Sequence, residues 1–146
     1  MSISYSLHLQ TKLSMYQVLE VLFNPKNIEK IVATEMLYVR GTVFLAHARI
    51  TEPSLGEKLS KTFGIEPTVS IAYFPDGVSS FQTALNHLVD TILQWLRTQD
   101  DNLLLLANKA QLVLKQFEGM LTLDPVHSFW TSNRLERINL PYQTIS

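Results

Sequence analysis

Four histidines, His8, His47, His87 and His127, are the residues of this sequence best suited to acid–base chemistry. Imidazole is the one side chain whose ordinary pKa lies close to neutrality, so each is a candidate base or ligand. Asp124 and His127 stand three apart beside Trp130. In a loop, that spacing could set a carboxylate against an imidazole and orient a general base. No nucleophile or third group accompanies them. The plainer reading is a turn at Asp124-Pro125, an exposed histidine and an anchored tryptophan. His87 falls on the polar face of a predicted helix and reads as a solvated residue. His8 falls on the polar face of a predicted strand. His47 reads as a partly buried, hydrogen-bonded imidazole. Asp100-Asp101 lacks further oxygen ligands at set spacing and reads as a helix end rather than a metal site.

Other chemistry is bounded by what the chain lacks. It has no cysteine, which removes disulfides, thiol nucleophiles and cysteine-ligated metals. Its five glycines form no phosphate-binding loop, and neither H-E-x-x-H nor G-x-S-x-G occurs. The expectation is a protein that is not an enzyme, with no catalytic residues, metal or cofactor. The enzymatic alternative is a hydrolase-like site assembled from distant residues around His127 or His8.

The elements that must position these residues centre on 79–124. Phe81, Ala84, Leu85, Leu88, Val89, Ile92, Leu93, Trp95 and Leu96 follow the spacing of one helical face. Asp76-Gly77 signals a turn before it, and Ser79 with Gln82 has capping-box spacing. Leu103–Ala107, Gln111–Phe117 and Met120–Leu123 read as consecutive strands, turned at Asn108-Lys109 and Glu118-Gly119. Leu103 to Leu106 do not alternate, so this strand is central or covered on both faces. Upstream, Ile3, Tyr5, Leu7 and Leu9 alternate with polar residues as a strand with one open face. Ser14 and Gln17 cap a helix over 15–23, which Asn24-Pro25 stops. Ile28, Ile31 and Val32 fit a helical turn, Met36 to Val39 a strand, and Thr42–Ile50 a second strand. Ser54 and Glu57 have capping-box spacing for a short helix ended by Gly64. Thr68 to Phe74 is β-branched and aromatic, as strands are. A short helix near Asn133–Ile138 precedes Leu140-Pro141-Tyr142. Local hairpins outnumber βαβ units. The expected class is therefore α+β, a two-layer sandwich of a mostly antiparallel sheet against one long and one or two shorter helices.

The 146 residues make one domain, read as a single unit over 1–146. Charged residues are 17% of the chain, below the roughly 25% of an average soluble protein. A sparsely charged surface favours a homo-oligomer or a stable partner. A net charge of −1 gives no electrostatic case for nucleic acid or an anionic membrane. Residues 1–12 lack the pattern of a signal peptide, and no apolar run would span a bilayer. The reading is a cytoplasmic protein.

The run LLLLANKAQLVLKQFEGMLTLD, Leu103 to Asp124, resembles a pattern in bacterial immunity proteins of the Sit type, from contact-dependent polymorphic toxin systems. The resemblance rests on the apolar strand, the polar turn, the strand ending at Gly119, the "LTLD" strand, Trp130 and the "LPY" at Leu140 to Tyr142. It implies a small non-enzymatic protein that binds a cognate toxin and blocks it by occlusion. It carries over no catalytic residue, and the near-neutral charge leaves the toxin class open. Trp130, Arg134 and Tyr142 are the candidate partner contacts, because aromatic residues and arginine dominate binding hot spots. The competing reading has Trp130 and Tyr142 pinning the tail to the core. A self-associating structural subunit is the further alternative.

Overall fold

The computed structural model describes residues 4–23, 28–31, 36–75 and 81–145. Strand β1 (Tyr5–Gln10) leads into helix α1 (Met15–Leu22), then β2 (Ile28–Ile31), β3 (Met36–Arg40) and β4 (Phe44–Ile50). Helix α2 (Pro53–Phe63), β5 (Val69–Pro75) and the long α3 (Phe81–Thr98) follow. The chain closes with β6 (Asn102–Ala107), β7 (Gln111–Phe117), β8 (Met120–Leu123), α4 (Ser132–Arg137) and β9 (Gln143–Thr144). The sheet order is β2-β3-β4-β5-β1-β6-β7-β8-β9. Every pairing is antiparallel except that of the two-residue β9, which lies parallel to β8.

Local signals account for several boundaries. Ser14 Oγ accepts from the Gln17 N–H at 3.1 Å, and the Ser14 N–H donates to Gln17 Oε1 at 2.9 Å, the expected capping box of α1. α2 does not start as expected. Its N-cap is Glu52, without a side-chain hydrogen bond, and Pro53 opens the helix where a missing N–H costs nothing. Glu57 pairs with Lys61 instead. Gly64 ends α2 in the left-handed region at φ 77°. Gly41 leaves space for the Phe44 ring, which a Cβ would strike, and β4 begins at Phe44 rather than at the expected Thr42.

Ile28–Ile31 is a strand, not the expected helical turn. Its register on β3, Ile28 opposite Val39 and Ile31 opposite Met36, supplies the ladder that a lone turn would lack. Asp76-Gly77, Ser79, Asn24-Pro25 and Val32 lie outside the described residues. Gln82, the other half of the expected α3 capping box, gives its side-chain oxygen to Arg134.

The main core lies on one face of the sheet, under α1, α3 and the segment around α4. Leu7, Leu9, Ile71, Tyr73, Leu103 and Leu105 meet Leu85, Leu88, Ile92 and Trp95 of α3 there. A second cluster lies on the opposite face, where Leu59 of α2 and Ile65 cover Leu104 and Leu106 of β6. Period-two alternation along β6 assigns its leucines to the two sides in turn. Helices thus lie on both faces, which adds a partial third layer to the expected two.

This double coverage gives a testable outcome. Leu104→Ala and Leu105→Ala should each lower unfolding free energy by about 2–5 kcal/mol in urea titrations, because both side chains leave buried voids. A solvent-facing position 104 would show almost no loss.

Candidate partner-binding surfaces

The four histidines do not converge. His8, expected on an open polar face, is 4% exposed. Its Nδ1 is 2.8 Å from Ser70 Oγ and its Nε2 is 2.9 Å from Ser6 Oγ. Ser70 Oγ is in turn 2.8 Å from Thr51 Oγ1. A serine beside a histidine has the outline of a nucleophile and base. Here both are buried, and no carboxylate is hydrogen-bonded to the ring among the described residues. The chain of hydroxyls satisfies a polar seam beside α2.

His127 and Asp124 do not form a base and its orienter. Asp124 Oδ1 accepts from the Val126 N–H at 3.2 Å. His127 Nδ1 accepts from the Phe129 N–H at 3.1 Å, and its Nε2 lies 3.3 Å from Gln111 Oε1. The pair builds the turn, as in the plainer reading. Asp101 accepts from Thr11 Oγ1 at 2.7 Å and ties the end of α3 to the end of β1. Among the described residues there is no group of three or more His, Asp or Glu able to hold a metal ion.

Of the three expected contact residues, two are interior. Trp130 is 7% exposed and donates from Nε1 to Val113 O at 2.9 Å. Arg134 is 2% exposed. Its Nε donates to Phe129 O, and its Nη1 donates to Gln82 Oε1 at 3.0 Å and Asn86 Oδ1 at 3.1 Å. Its guanidinium also lies 5.1 Å from the centre of the Phe129 ring. Both side chains pin the tail to α3 and β7, and neither offers a surface as it stands. Tyr142 is 40% exposed, beside the exposed Met120 at a cleft of about 320 Å³. The sequence could not show that α4 turns its arginine inward.

Two surfaces went unmarked in the sequence. One is the face of β3, β4 and β5 beyond α2. Tyr38, His47 and Phe74 run across these strands, with ring centroids 5.4 and 5.0 Å apart. Phe74 is 40% exposed, and Tyr38, Leu45 and His47 are half-buried. Arg40 and Arg49 stand exposed on the same face, Arg49 paired with Glu52. His47 Nδ1 is buried without a partner among the described residues. Burial, and then Arg49, hold the His47 pKa below its ordinary value. Alternation along each strand was the available signal, but strand order brings the three rings together.

The second surface is a cleft between α1, α3 and the β3–β4 hairpin. His87, expected to be solvated, is half-buried there and stacks on Phe44 at 4.6 Å. The aromatic neighbours come from α1, β4 and β5, far away in the chain.

Two outcomes follow. Arg134→Ala should cost about 2–4 kcal/mol of stability in urea unfolding, since it removes the buried guanidinium that links Phe129 O to Gln82 and Asn86 of α3. His8 supplies a pH dependence. Burial lowers its pKa to about 4 from the ordinary 6.5. The unfolded chain then binds a proton in that interval while the folded chain does not. Stability is full above pH 6.5 and falls by about 3 kcal/mol as pH drops towards 4. His8→Gln should flatten this part of the profile, read as the difference between the two proteins' unfolding free energies at each pH.

No helix among the described residues is long and apolar enough to cross a membrane. No curated protein and no solved structure matches the chain. The family model described as SitI3-like matches residues 3–134. That match runs from just before β1 into the first turn of α4, taking in the β6–β8 meander and leaving out the end of α4 and β9, and the chain belongs to the SitI3-like family.

Proposed function

We propose that this protein is a cytoplasmic immunity protein that binds a cognate toxin and blocks it by covering its working surface, without catalysing a reaction. Membership of the SitI3-like family supports a protein partner of this kind. The observation that carries the choice of surface is the aromatic ladder Tyr38–His47–Phe74 on the part of the sheet that α2 leaves bare. Aromatic rings flanked by arginines have the composition of interface cores. Rigid strands present them with little ordering left to do on binding. Tyr142 is a second contact on the tail, with Trp130 and Arg134 acting by holding that tail in place.

Co-expression with the product of the neighbouring gene, followed by affinity capture, tests the reading. A stable complex and protection of cells expressing that product are expected. Failure of both overturns it. Phe74→Arg should weaken the complex at least tenfold while the free protein stays folded. If Tyr142→Ala weakens the complex and Phe74→Arg does not, the tail is the interface and the sheet face is not.

A further inference from the structure

The cleft at the C-terminal edge of the sheet lies between the β7–β8 turn and the tail. Its lining includes Glu118, Met120 and Leu121 on one side and Pro141, Tyr142 and Gln143 on the other. Glu118 is the only charged residue among them. At about 320 Å³ the cleft lies at the lower end for a small-molecule site, and it has room for one long side chain of a docking protein. Two features say which side chain that is.

The first is the position of Glu118. It stands at φ 50° in the turn, followed by Gly119 at φ 82°. A turn of this hand prefers asparagine, aspartate or glycine at that place, so glutamate gains nothing from the backbone. Its N–H donates to Asn102 Oδ1 at 2.9 Å, but its exposed carboxylate enters no hydrogen bond or ion pair among the described residues. Lys115, three residues upstream, is turned onto the Phe117 ring, with Nζ 5.3 Å from the ring centre. A negative charge with no use in the fold thus stands at the rim.

The second is the wall beside it. Tyr142 and Met120 are both exposed, at 40% and 52%. The face of a tyrosine ring attracts a cation. Met120, Leu121 and Pro141 offer an apolar bed for the methylenes of a long charged side chain. A carboxylate next to an exposed ring and an apolar bed is the complement of a cation on an aliphatic stem. Arginine suits it better than lysine. A guanidinium can lie flat on a ring and still donate, in its own plane, to a carboxylate at the ring's edge.

We infer that this cleft receives one arginine side chain of the protein partner, its guanidinium flat on the Tyr142 ring and its in-plane N–H groups directed at the Glu118 carboxylate. The inference rests on the toxin-binding reading above, and it gives that partner a basic contact at this edge of the sheet.

The test uses the complex captured with the neighbouring gene product, with dissociation constants read by biolayer interferometry. Glu118→Gln keeps the turn and removes the charge, and it should weaken the complex about five- to twentyfold. Glu118→Lys should weaken it about a hundredfold or more, since it sets like charges together. The double variant Glu118→Gln/Tyr142→Ala should lose clearly less than the product of the two single losses, because both residues hold one guanidinium. Replacing the partner's arginines by glutamine one at a time should find one whose loss matches that of Glu118→Gln and is not deepened by it. If the unaltered protein forms no complex, the toxin-binding reading falls and this inference falls with it. A complex that forms but is indifferent to Glu118→Gln, single losses that simply multiply in the double variant, or no matching arginine would overturn this inference alone.

Discussion

The structure depends on the insertion of β1 between β5 and β6. Strands β2 to β5 form one sequential antiparallel meander, and β6 to β8 form another. Only β1 joins them. Leu7 sits opposite Ile71 on one side and Leu105 on the other, all in the main core. These pairings close long loops, whose entropy cost must be met before the contacts return anything. α3 helps by running from β5 to β6 across the buried face of the sheet. Its apolar stripe then covers the joint that its own ends define.

A joint buried on both sides has to satisfy its polar groups internally. The seam behind β1 does so with short side chains. Thr68 Oγ1 reaches Leu9 O at 3.2 Å and Thr11 O at 2.9 Å, while Ser70, His8, Ser6 and Thr51 complete one chain of contacts. Neutral groups carry this network, which avoids the large cost of burying a charge. The same accounting explains Arg134, whose several N–H donors reach three oxygens at once.

Much of the fold was legible where the deciding contacts are local. The Ser14–Gln17 box, the Gly64 stop, both hairpin turns of β6–β8 and the non-alternating leucines of β6 needed no knowledge of distant residues. The failures share the opposite cause. Ile28–Ile31 has a helix-like spacing that pairing with β3 overrides. α2 was visible as a helix, but its choice of sheet face rests on Leu104 and Leu106, far along the chain. The candidate surfaces were the least legible part. Tyr38, His47 and Phe74 belong to three strands whose order no local signal sets, and His87 gains its aromatic surroundings from α1, β4 and β5. Arg134 has the composition of a hot spot and the position of a strut.

The two hairpin turns show where the meander takes its register. Asn108, Lys109 and Glu118 all hold positive φ, at 51°, 65° and 50°, where residues other than glycine are disfavoured. Asn108 is held by Ser4, and the Glu118 N–H by Asn102. Each hairpin tip is thus tied to chain outside the pair of strands it joins: the β6–β7 turn to Ser4, just before β1, and the β7–β8 turn to Asn102, at the start of β6. The loops of the meander are cross-braces as well as connections.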